Sequence, residues 1–489
     1  MLQKLQRKQL PQSWILAFQI GFILAVTAWF AWWLGNGNEL FFNTSILMAV
    51  GTLVAAVIWF FPHVGLAVTM ASLPLQGILP TIPFASSLVS ALGGLTLIAF
   101  VFQRKGRPLF NFGTRIQFVL AIGFILWQLL TFPELSYYGN RNWLFTFGQL
   151  WIIMWLASEI LTPGKHAAAM RIYVIACVIS AIYAFMNAEI VAEFSEGAGL
   201  ERSAGLAENQ NSLAFFLVLG IVFNAYLHRQ NTNAGMALVY PAVYVALLLG
   251  VVGTISRAGF LSTGMAFIFL MLFWMRGGPE KVRTILITVL VVVVGAMYFV
   301  PDEYWLLMEQ TIFTEERTET GYGNRETLIL TGIEVWQDHP VIGVGIDQFR
   351  STSREYLSGP EKHLAGKVTH NFYITLLAET GIIGFLLFLG WMIYSVYELY
   401  LTMRADDEEY SPLATIWMIA FILYFFRGNT ASTMHYSKML WMMGGIAIAL
   451  RHGYLAKIND ELVSEADEQQ QTTSHTVAAP TQTPARVYD

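Results

Sequence analysis

Long apolar runs separated by short polar breaks make up most of the chain. They fall near 13–34, 42–61, 64–80, 84–102, 115–132, 142–161, 171–190, 209–228, 235–253, 258–275, 284–300, 372–400, 411–427 and 438–453. Most approach the ~20 residues that a helix needs to cross the hydrocarbon core of a bilayer. The runs are continuous and do not alternate in ten-residue pieces, which leaves the helix as the span type that satisfies its own backbone in lipid. The pattern predicts an all-α, polytopic helical membrane protein, with about 12–14 transmembrane helices and one long extracytoplasmic loop. The run 64–80 contains Pro74 and Pro80 and is expected to be broken or re-entrant. Ser13–Leu34 is long enough to span and lacks a convincing small-residue cleavage site, so it reads as a first helix, not a leader.

Composition supports this reading and removes other classes. Of 489 residues, 55% are hydrophobic and 12% charged, against roughly 25% charged in soluble chains. A net charge of -5 without a basic patch argues against nucleic acid as a partner. The single cysteine, Cys177, lies in an apolar run, so neither an intramolecular disulfide nor a cysteine metal cluster is available.

Lys and Arg orient the spans. With the N-terminus cytoplasmic and the spans alternating, 17 of the 28 fall on the cytoplasmic side. Six of the remaining 11 sit in one long loop, 301–371, where the rule has little force. That loop has 12 acids and six Lys or Arg, close to the charge density of a soluble domain, and Glu326–Gln337 looks helical within it. The tail is Glu, Gln, Thr, Ser and Pro without apolar period and reads as disordered and cytoplasmic. The expected organisation is a transmembrane bundle over 1–200, a membrane core over 201–455 that includes the loop 301–371, and the tail 456–489.

A charge near a membrane needs a reason. Four basic positions gather on the predicted outer face: Arg202 in a short loop, Arg257 in Thr254-Ile-Ser-Arg-Ala-Gly259, Arg325 in Gly323-Asn-Arg-Glu326, and His370 just before a span. Each has a structural alternative: a solvated loop charge for Arg202 and Arg325, a snorkelling side chain for Arg257, a backbone-bonded histidine for His370. Their coincidence on one face favours chemistry. Guanidinium groups grip phosphate oxygens in a planar fork, and histidine exchanges a proton near neutral pH. Such a set can hold a lipid diphosphate and activate an acceptor hydroxyl with no metal and no cofactor. No Asp-x-Asp pair stands in an outer loop to hold a divalent cation. Glu379 lies two turns into its span, where an unpaired carboxylate is costly, and one of the arginines is its expected partner. Gly381 and Gly384 would admit a close helix.

These residues resemble a family. His370-Asn371, Glu379, Gly381 and Gly384 look like the signature of the O-antigen ligase superfamily, which includes O-antigen polymerases and bacterial O-oligosaccharyltransferases. His339-Pro-Val-Ile-Gly-Val-Gly345 with Phe349 resembles its preceding turn, Ser256-Arg257-Ala-Gly259 its Ser-Arg element, and Arg202-Ser-Ala-Gly205 with Asn209-Gln-Asn211 its outer-loop elements. The likeness covers roughly 200–400. It implies a metal-independent, inverting glycosyltransferase of the bacterial inner membrane with an extracytoplasmic active site. The donor would be a glycan on undecaprenyl diphosphate, and the acceptor a lipid, glycan or protein. On that reading Arg202, Arg257 and Arg325 hold the diphosphate, His370 assists the attacking hydroxyl, and Asn211, Asn371 and Glu379 support them. A lipid-linked sugar transporter is the alternative of another class. It would place ionisable residues near the midplane, whereas the polar groups here collect at one mouth.

Overall fold

The protein is described from a computed structural model that covers residues 41–78, 88–104, 115–131, 138–186, 206–274 except 208, 237 and 255, the isolated positions 283, 287 and 290, and 322–477 except 406. Every regular element among the described residues is helical. In chain order the α-helices are α1 Phe41–Phe60, α2 Pro62–Ala71, α3 Leu88–Gln103, α4 Ile116–Thr131, α5 Tyr138–Ile160, α6 Pro163–Met186, α7 Gln210–Gln230, α8 Val239–Gly253 and α9 Arg257–Phe269. The long loop contributes α10 Tyr322–Asp338 and α11 Phe349–Tyr356, and the chain continues through α12 Phe372–Met403, α13 Tyr410–Arg427 and α14 Lys438–Val477.

Six described helical segments are long and apolar enough to cross a membrane, among them α6, α7, α12 and α13. The expected runs 13–34 and 284–300 and the first part of the long loop fall outside the described residues, apart from positions 287 and 290. The run 64–80 is indeed broken. Helix α2 stops at Ala71, and Leu73–Ile78 forms a tight 3-10 turn holding Pro74. Past Phe269 the next helix widens into a π turn, Leu270–Trp274. Helix α14 runs to Val477, into the segment expected to be the tail. Its Ala, Leu, Lys, Glu and Gln content lacks an apolar period but carries good helix formers, and propensity is enough to extend a helix already nucleated at Lys438.

Lipid is as apolar as leucine, so shape-matched contact, not water exclusion, must hold these helices together. Aromatic rings supply much of it. Trp391 of α12 lies 5.0 Å from Trp441 of α14, and Phe388 of α12 lies 5.0 Å from Phe124 of α4. Helix α7 is enclosed by α6, α8, α9 and α13, and α12 by α4, α13 and α14. Gly259 lets α9 close on α7: a Cβ there would stand 2.5 Å from the Ala214 methyl.

Three helices start with the same device. Asn209 accepts from the Ser212 N–H at 2.8 Å, Ser256 from the Gly259 N–H at 3.1 Å, and Asn371 from the Ile374 N–H at 3.1 Å. These side-chain caps satisfy orphan donors at the starts of α7, α9 and α12. The three starts lie at one end of the bundle. Ser256 Oγ donates to Asn211 Oδ1 at 2.8 Å, the C-terminal Arg427 of α13 reaches Ser212, and the Phe372 N–H donates to Gly428 O at 2.7 Å.

Candidate active site

The long loop is tied to the membrane helix α12 at a break in that helix. Gly381 has φ +64° and ψ -175°, which interrupts the hydrogen-bond ladder. Carbonyls freed by the break find partners outside the helix. Val344 N–H donates to Ala378 O at 3.0 Å, Gly345 N–H to Glu379 O at 2.8 Å, and the Trp127 indole of α4 to Thr380 O at 3.0 Å. In return the Ile382 N–H donates to Pro340 O at 2.9 Å. The turn 339–345 is thus clipped to the break by backbone bonds. The contact demands glycine on both sides, because a Cβ on Gly381 would overlap Val341 O and one on Gly343 would meet the Glu379 carbonyl.

Glu379 uses the same junction. Its Oε1 accepts from the Phe349 N–H at 3.2 Å, at the first turn of α11, while Oε2 is buried without a hydrogen-bond partner among the described residues. Among the described residues no arginine makes an ion pair with Glu379. Its Oε1 faces the N-terminus of α11, whose backbone donors favour a carboxylate, and the Arg350 charge on that helix acts on it as well. Val335 of α10, Phe349 of α11 and Ala378 of α12 form a small apolar core beneath this contact. On the far side of α11 the Tyr356 hydroxyl donates to Asp338 at 2.7 Å, a bond that pushes the phenol up to about 12.

His370 stands on the turn that leads into α12. Its φ of +54° is in the left-handed region, which histidine tolerates better than most residues. Flanking hydroxyls hold the turn. Thr369 Oγ1 accepts from the Asn371 N–H at 3.1 Å and pairs with Thr375 Oγ1 at 2.5 Å. The imidazole is left solvent-accessible. Partial burial, reinforced by the nearby charges of Arg325 and Arg350, holds it below the ordinary histidine value. The neutral, proton-accepting form is thereby favoured. Arg325 on α10 and Arg350 on α11 are both exposed.

A second group lies where α7, α9 and α13 meet. Arg257 is the first residue of α9, directly after the Ser256 cap that is bonded to Asn211. Arg202 is outside the described residues. The structure thus brings His370 and Arg325 together, and Asn211 beside the Ser256–Arg257 step. Asn371 is the N-cap of α12, and Glu379 anchors α11.

Residues 242–389 match the O-antigen ligase family. No curated protein matches the chain. The match supports an O-antigen ligase- or polymerase-type membrane enzyme. The ligase-like segment contains Arg257, Arg325, His370, Asn371, Glu379 and both glycines of the clip; Asn211 and Arg202 precede it. Two cations had no assigned role in the sequence. Arg350 is brought to His370 only because α11 folds back over Glu379. Arg427, beyond the ligase-like segment, closes a span whose neighbours are known only from the fold. Among the described residues no three His, Cys, Asp or Glu side chains gather as a metal-binding set.

Proposed function

We propose that the protein moves a glycan from undecaprenyl diphosphate to an acceptor hydroxyl on the outer face of the bacterial inner membrane, by a single inverting displacement that needs no metal. The observation that carries this reading is His370 under the charges of Arg325 and Arg350, at the bundle end where the Ser256–Arg257 helix start also lies. The acceptor oxygen attacks the anomeric carbon as the bond from that carbon to the phosphate oxygen breaks. The hydroxyl proton passes to the neutral imidazole of His370, and the lipid diphosphate leaves with the bonding electrons. Arg257, Arg202 and Arg325 neutralise the charge that builds on that leaving group, the task a divalent cation performs elsewhere. The excess of Lys and Arg on the opposite face of the predicted topology supports an extracytoplasmic site. Ligase-type transfer to a lipid or surface acceptor is favoured over polymerisation or protein glycosylation.

The test is transfer by purified protein, given a labelled glycan on a polyprenyl diphosphate and a panel of lipid, glycan and protein acceptors, with and without a strong chelator. Chelator-resistant transfer with inverted anomeric configuration, lost in His370→Ala, is expected. No transfer to any acceptor, or activity restored only by Mg²⁺ or Mn²⁺, overturns the reading.

A further inference from the structure

Among the described residues Arg427 is a cation without a counter-charge. Its Nη2 donates to Ser212 Oγ at 3.0 Å, and its Cζ sits 4.5 Å from the centre of the Phe215 ring. Its Nη1 is shielded from solvent and makes no hydrogen bond among the described residues. The ion pairs among those residues involve Arg104, Arg115 and Lys457, not Arg427. A ring face offsets part of the charge, but an unpaired donor on a half-buried guanidinium remains expensive. Such a group is retained where an anion completes it.

Its surroundings indicate which anion. Ser212, which holds Nη2, follows Asn211, the residue bonded to Ser256 next to Arg257. On the other side Gly428 O receives the Phe372 N–H, one residue past the Asn371 cap and two past His370. Arg427 therefore joins the two groups of candidate site residues, while lying outside the ligase-like segment.

We propose that Arg427 is a further substrate-binding residue, donating through Nη1 to a phosphate oxygen of the polyprenyl diphosphate donor. The ligand's identity rests on the proposed transferase activity; the need for an anion does not. Ser212 and the Phe215 ring hold the guanidinium, and donor binding must open access to Nη1, which is shielded from solvent in this structure.

The experiment titrates farnesyl diphosphate into detergent-purified protein and follows both affinity and melting. Arg427→Met keeps the apolar stem and removes the charge. It is expected to melt at or above the wild-type temperature without ligand, and to bind farnesyl diphosphate about tenfold or more weakly, the scale of one charge-assisted hydrogen bond. Unchanged affinity, or a lower melting temperature with affinity retained, overturns the proposal by making Arg427 a packing residue. Should Arg427→Met fail to fold, Arg427→Lys decides. Weaker binding by a monodisperse variant supports the proposal, and wild-type binding overturns it. Phosphatidylglycerol vesicles that displace farnesyl diphosphate at equal phosphate concentration would make the ligand a phospholipid headgroup and refute the donor assignment. Two outcomes separate this proposal from the transferase reading. Arg427-dependent diphosphate binding without any glycan transfer leaves the site standing and removes the transferase. Glycan transfer with an unchanged donor KM in Arg427→Met does the reverse.

Discussion

Alanine at Gly381 is a severe test of how the loop is held. A non-glycine residue at φ +64° and ψ -175° costs about 1–3 kcal/mol in backbone strain. The new Cβ would also overlap the Val341 carbonyl. Backbone crowds this position, so no rotamer change relieves it, and the turn must lift away. Lifting breaks the bonds from Val344 to Ala378, Gly345 to Glu379 and Ile382 to Pro340, each worth about 0.5–1.5 kcal/mol net. The combined loss is roughly 2.5–7.5 kcal/mol. Gly390, in the same helix, is the control: its Cβ would meet only Leu120 Cδ1 at 3.9 Å, and Gly390→Ala should be neutral or gain up to about 1 kcal/mol. Tryptophan emission during thermal unfolding in detergent reads both, since Trp127 is bonded to Thr380 O beside the break. Transfer should fall in Gly381→Ala because α10 and α11, which bring Arg325 and Arg350 to His370, lose their anchor. Equal melting and equal transfer in the two variants would refute the clip.

Neutral His370 is the proposed base, and burial together with the two arginines favours that form, so the acid limb of transfer should lie below pH 6.5. Removing a nearby positive charge eases protonation, so Arg350→Gln should move that limb to higher pH; a limb that stays put, or moves down, contradicts the placement. His370→Ala should slow single-turnover transfer by about 10²–10⁴ with donor affinity nearly intact, and lost affinity with normal chemistry at saturating donor would reassign the residue. Asn371→Ala removes the α12 cap and should cost about 1 kcal/mol of stability, with Asn371→Asp recovering most of it in the same melting assay. Arg257→Lys should rescue transfer poorly, because an ammonium lacks the two-point grip on phosphate; full activity would reduce Arg257 to a headgroup contact.

The described spans were legible because each is one apolar run, and a run of that length has few alternatives in lipid. The break at Pro74 was legible for an equally local reason: proline withholds an N–H. What escaped were relations between distant segments. Gly343 and Gly381 were visible as motif glycines, but neither their positive φ nor their mutual contact follows from spacing. Glu379 announced a buried acid and suggested an ion pair; its partner is a backbone N–H, and any residue offers one of those. Arg427 ends an apolar run in the sequence, and only the fold places it on Ser212. In the tail, polarity without period fits an exposed helix as well as an irregular chain.

The clip has a mechanical consequence. A loop of this length over a membrane site invites comparison with a lid that swings. Here it is riveted through backbone bonds to a point inside a span, with carbonyls of α12 and amides of the turn exchanged across the joint. The region around α11 therefore behaves as an anvil, not a flap. Load on α11 passes through Glu379 and the turn to Ala378–Ile382, inside a helix long and apolar enough to cross a membrane.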